Sequence, residues 1–108
     1  MKTKLDTEKT YLLAFPVNSN TMTYMDYIDY EQRVAAELES KGLKLMRPIA
    51  IFPKGIDVEN YIEQTLKMAT VVDAILMPKG WNNRVECLYI YEFAKKNNIK
   101  AFEIEQSL

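Results

Sequence analysis

At 108 residues the chain is one domain's worth of polypeptide, enough for a single core and too little for two. Its 48% hydrophobic content excludes a disordered chain, and 14 basic against 15 acidic residues argue against a nucleic-acid partner. One cysteine and no histidine exclude an internal disulfide, His-based triads and the commonest zinc sites, so no metal or cofactor is expected.

Residues 1–9 are polar and read as a flexible leader, with 10–108 as a single domain. Met1–Leu5 runs into charge rather than a signal core, and no apolar run reaches the roughly 18 residues of a membrane span. No membrane partner is expected, and the lone cysteine suits a reducing cytoplasm. Thr10–Val17 reads as a buried strand that Pro16 brings to an end. After the polar turn Asn18–Thr21, a helix is predicted from Thr23 to Lys41, with Gly42 as its left-handed stop. Tyr24, Ile28, Ala35 and Leu38 fall near one face; Asp29, Glu31, Arg33, Glu37 and Lys41 can face water.

A second strand is predicted over Leu43–Ile49, then a loop through Phe52-Pro53-Lys54-Gly55. Asp57 can cap a helix over Val58–Ala69, with Tyr61, Ile62, Thr65, Leu66 and Ala69 as its inner stripe. The third strand, Val71–Met77, carries Asp73 within an apolar run, where burial would demand hydrogen-bond partners. Pro78–Asn83 then turns into a third predicted helix, Arg84–Lys96, for which Asn82 and Asn83 are natural caps. Asn97-Asn98 ends it, and Ile99–Ile104 is the fourth strand.

This alternation predicts an α/β fold, a Rossmann-like three-layer α/β/α domain with a four-stranded parallel sheet in order 2-1-3-4. Ligands of such sheets bind beyond the carboxyl ends of the strands where strand order reverses, here between the first and third. The candidate ligand groups are therefore Phe15, Pro16 and Asn18 after the first strand and Arg47 after the second. Gly80, Trp81, Asn83 and Arg84 follow the third. Trp81 can stack on a base or cap the third strand. Arg84, ill-suited to a helix N-terminus, needs an anionic partner: a phosphate, Glu86 or Asp73. Arg47 has the same two readings, a ligand phosphate or a protein carboxylate. Cys87, with no basic histidine near, reads as a small packed hydrophobe.

Val71-Val72-Asp73-Ala74-Ile75-Leu76-Met77-Pro78-Lys79-Gly80-Trp81, followed by a helix reaching Ala94-Lys95-Lys96, resembles a known signature. It is that of the nucleoside 2-deoxyribosyltransferase-like superfamily, in particular its small bacterial and phage domains, and it extends over about Thr10–Ile104. The resemblance implies a Rossmann-like fold that binds nucleosides or nucleotides, often as a dimer. In active relatives a glutamate on the third helix attacks the anomeric carbon and an aspartate on the second assists, as an oxocarbenium-like transition state requires. Carried onto this chain, the nucleophile position is Ile90 and the assisting aspartate is Thr65. The usual serine, glycine and small residue are Arg84, Glu86 and Cys87. The first-loop Gly-Pro is Phe15-Pro16, and the asparagine before the second strand's proline is Arg47.

Two functions follow. One is a catalytically degenerate protein that binds a nucleotide-like molecule through these residues, Thr65 among them, or acts as an oligomeric module. The other is an active N-glycosyl hydrolase or pentosyltransferase using Glu86, which lies one turn before Ile90 on the same helix face. The third helix is apolar nearly all round, so a homodimer through it is expected.

Overall fold

A computed structural model describes residues 7–16, 24–51, 57–79, 81 and 84–104. The first strand, β1 (Thr10–Leu13), is nearly all buried, as a central parallel strand covered on both faces must be. It is shorter than predicted. The last pairing contact is the amide of Ala14 on the Leu76 carbonyl, 2.8 Å, and Pro16 has no N–H to extend the ladder. Val17 lies outside the described residues.

Helix α1 (Tyr24–Ser40) ends where Gly42 predicts, at φ +91°. The Gly42 amide donates to the Glu39 carbonyl at 3.0 Å and the Leu43 amide to the Leu38 carbonyl at 3.3 Å, the two reversed bonds of a Schellman stop. Its inner face carries Tyr27, Tyr30, Val34, Ala35 and Leu38, with Ile28 half-buried. Asp29, Arg33, Glu37 and Lys41 face water as expected, but Glu31 does not; it is fully buried on the same inner face.

Strand β2 (Lys44–Met46) stops well short of Ile49. Pro48 cannot donate to a ladder but suits the first position of a helix, and Pro48–Ile51 forms the single turn α2. The loop expected through Phe52–Gly55 lies outside the described residues. Helix α3 (Val58–Ala69) has the predicted bounds. Asp57 caps it, Oδ1 accepting from the Asn60 amide at 2.9 Å and Oδ2 from the Asn60 side-chain amide at 2.7 Å.

Strand β3 (Ala74–Met77) begins later than predicted because the Val71 amide still donates to the Met68 carbonyl at the end of α3. Asp73 is therefore exposed, not buried in a strand. It clasps the start of β1: its Oδ2 accepts from the Thr10 amide at 2.8 Å, and its own amide donates to the Thr10 carbonyl at 2.9 Å. Helix α4 (Val85–Lys96) has Arg84 at its N-cap, the position expected of Asn82 or Asn83. Asn98, left-handed at φ 57°, leads into β4 (Lys100–Glu103).

All neighbours are parallel and the order is β2-β1-β3-β4, as predicted. Alternate residues of β1 serve two cores. Tyr11, Leu13 and Phe15 pack with the inner face of α1, whereas Leu12 and Ala14 pack with Ala69 of α3 and Cys87, Ile90 and Ala94 of α4. The three layers are thus α1, the sheet, and α3 with α4, a small Rossmann-like domain. The chain moves one way along the sheet through α1 and the other way through α3, so crossovers of one hand put these helices on opposite faces. No helix among the described residues is long and apolar enough to cross a membrane.

Candidate functional site at the carboxyl ends of the strands

The reversal of strand order between β1 and β3 brings together the segments after β1, β2 and β3. Phe15 leaves β1 with its ring turned into the α1 side of the core, edge-on to Tyr30 at 5.0 Å between centroids. Pro16 beside it is buried. The Phe15 carbonyl accepts a hydrogen bond from the Tyr61 hydroxyl at 2.5 Å. Where the resemblance expects a small residue that admits a ligand, an aromatic side chain and a capped carbonyl stand instead.

Tyr61, buried four residues after the Asp57 cap, is the hub of this region. Its side chain reaches from α3 past the end of β1 into the α1-side core. Burial pushes its phenol pKa well above the usual value, and the acidic neighbours Cys87, Glu31 and Glu86 push it further. The hydroxyl therefore stays protonated and donates. The Thr65 hydroxyl, one turn along α3, is close enough to oppose that push. Even so, no well-aligned hydrogen bond joins the buried Thr65 Oγ1 to any described group. Sequence reasoning placed Tyr61 in the core stripe and among six tyrosines whose hydroxyls could enter the pocket, without singling it out; its position four residues after the cap, at the mouth end of α3, was the available signal.

Arg47 follows β2 and grips Glu31. Its Nε donates to Oε2 at 2.8 Å and its Nη2 donates to Oε1. Glu31 has 0% of its side chain exposed and Arg47 has 24%. The hydrogen bond to Glu31 raises the arginine's pKa, so it remains a cation. Of the two readings of Arg47, the protein carboxylate is the one observed. Glu31 itself was missed because its acidic type outweighed its spacing: it lies four residues after Tyr27 and four before Ala35, on the buried face.

On the other side of the mouth, Trp81 folds back along α4. Its ring lies 4.6 Å from that of Tyr91, over which the Lys95 ammonium sits at 5.2 Å. Half-buried, it caps the α4-side core. Arg84, also half-buried, makes no side-chain capping bond. Cys87 is buried, its Sγ donating weakly to the Ala14 carbonyl at 3.7 Å. Burial raises its pKa, Glu86 adds to the rise, and Arg84 opposes it. The thiol is thus a packed, unreactive group, as expected.

Glu86 and Ile90 do share a buried face of α4. Ile90 lies wholly within the α4-side core, so the position that the resemblance assigns to the nucleophile holds no acid. Asn18, Gly80 and Asn83 lie outside the described residues. Among the described residues no three His, Cys, Asp or Glu side chains gather as a metal ion would require.

A family described as a domain of unknown function (DUF4406) matches residues 14–102, from the end of β1 into β4. No curated protein and no solved structure matches the chain. The matched stretch takes in the three carboxyl-end segments and all the helices between them, and on that extent the chain belongs to the DUF4406 family.

Proposed function

We propose that the protein is a nucleoside 2-deoxyribosyltransferase-like domain that binds a nucleoside- or nucleotide-like molecule and has lost the chemistry. Residues 10–108 act as one domain behind a leader, 1–9. The observation that carries this reading is Ile90, an isoleucine packed out of water where attack on the anomeric carbon calls for a carboxylate. Thr65 replaces the assisting acid with a hydroxyl that cannot stabilise an oxocarbenium charge as an anion would. The proposed ligand-binding set is Phe15, Pro16, Asn18, Arg47, Thr65, Gly80, Trp81, Asn83 and Arg84.

The test is incubation of the pure protein with each deoxynucleoside and deoxynucleotide, followed by chromatography for free base. None is expected. A second reading, hydrolysis or transfer through Glu86, is favoured by the burial of that carboxylate within electrostatic reach of Tyr61. Base release that disappears in Glu86→Gln would establish it in place of the first.

The reading includes a homodimer. Val85, Leu88 and Tyr89 make an exposed apolar stripe on α4, Tyr89 at 60% exposure, which supports a covered helix face. Sedimentation at micromolar concentration should give twice the chain mass; a monomer there removes this element of the proposal.

A further inference from the structure

Strand β4 ends the sheet on one side and pairs only with β3 among the described strands. The Ile104 amide donates to the Met77 carbonyl at 2.8 Å, so the even-numbered residues here turn their backbone groups toward β3. Ala101 and Glu103 therefore direct their N–H and C=O outward, where no described strand lies. Phe102, packed on the α1-side core, is only half-buried. The helix on that face, α1, joins β1 to β2 at the far side of the sheet and leaves β4 less covered.

A second open surface stands beside this edge. Helix α4 is the crossover between the adjacent strands β3 and β4 and lies over them. Glu86 acts on Tyr61, which marks the side of α4 turned toward α3. Leu88, 40% exposed, and the half-buried Tyr91 lie on the opposite side of the helix, toward the outer edge of β4. Val85 and Tyr89 point away from the sheet.

We propose that the outer edge of β4 docks a second copy of this chain, the two strands pairing antiparallel about a two-fold axis at Phe102 into one eight-stranded sheet. Facing residues of an antiparallel pair share a face of the sheet, so the axis must pass through a residue. At Phe102 it sets both outward-facing residues, Ala101 and Glu103, into paired bonds with each other's copies, and ring meets ring between them. An axis at Glu103 would oppose like charges, and one at Ala101 would need Ile99, which precedes the strand.

The same rotation covers α4. With strands about 4.8 Å apart, α4 lies about 5 Å from the axis and about 10 Å from its copy, the spacing of packed helices. Leu88 and Tyr91 then close against the same side of the second α4. One operation thus satisfies a backbone edge and an apolar helix side. This rests on the homodimer reading above and gives it a geometry.

Hydrogen exchange on the unaltered protein is the first test. Where sedimentation gives a dimer, the Ala101 and Glu103 amides should exchange about tenfold or more slowly than in a sample diluted to monomer. Mild oxidation of Phe102→Cys should give a disulfide-linked dimer, because Cβ atoms facing each other at the axis lie about 5 Å apart. Cys87 is too buried to compete, and Tyr89→Cys should run as a monomer on a non-reducing gel. Fast exchange at both amides in a dimer, or cross-linking through Tyr89→Cys and not Phe102→Cys, overturns this inference and leaves a homodimer through the outer stripe of α4. A monomer under all these conditions overturns the homodimer reading, and this inference with it.

Discussion

The two ends of the sheet handle polar groups in opposite ways. At the amino ends, Asp73 and Thr10 exchange hydrogen bonds in the open, and the polar work is done by exposed side chains and backbone. Toward the carboxyl ends lie the three buried polar side chains among the described residues, Glu31, Thr65 and Glu86. An ion pair taken out of water returns little net stability over an apolar pair of similar size, whereas breaking one side of it is severe. An amino end of this kind needs only to hold strands in register. The carboxyl end carries groups that folding alone does not require, and that contrast marks it as the place to look for function.

The largest expected effect breaks the contrast at its centre. Glu31→Ala strands the part-buried Arg47 cation and should lower unfolding free energy by about 3 kcal/mol or more in urea melts. The double change Glu31→Leu/Arg47→Met removes both charges and should fall within about 1 kcal/mol of the parent. Equal losses in both variants would mean that packing, not charge, makes this end special. Next, Tyr61→Phe leaves the buried Phe15 carbonyl without its donor, an expected loss of about 1–3 kcal/mol by the same measurement.

Gly42→Ala probes the amino end, where α1 turns into β2 beside Thr7. The left-handed backbone there strains any residue with a Cβ, and a loss of about 1 kcal/mol is expected. The smallest change should carry the opposite sign. Thr65→Val swaps a buried hydroxyl that lacks a well-aligned partner for a methyl group, and a gain of up to about 1 kcal/mol is expected. A clear loss instead would show that the hydroxyl contributes to stability through Tyr61, one turn away on α3.

Much of the architecture was legible because it is written in short-range chemistry. Asp57 supplies an oxygen to orphan amides and starts α3 at the predicted residue. Gly42 tolerates positive φ and stops α1, and the β–α alternation with right-handed crossovers leaves the order 2-1-3-4. Strand lengths were overestimated for one shared reason: an apolar run continues beyond the last residue that can pair. Val71 still belongs to the turn closing α3, and Pro48 starts a helix in place of extending β2.

The site was legible only in outline. The switch in strand order located the mouth, but the groups that meet there come from segments far apart in the chain. Glu31 and Arg47 are 16 residues apart, and Tyr61 lies 46 from the carbonyl it caps. An acid on a helix is ordinarily a solvated acid, and the spacing from Tyr27 and Ala35 that sets Glu31 on the buried face was the local sign against that reading.

The sequence by itself determined the succession of four strands and three longer helices, where those helices stop, and that their alternation closes into a parallel sheet. Capping, glycine backbone freedom and hydrophobic period all act within a few residues. Only the tertiary structure decided which charges would be buried, which arginine would be claimed by the protein and which hydroxyl would cap β1. Those outcomes depend on the packing of three layers, where distance in the chain has no bearing on distance in space.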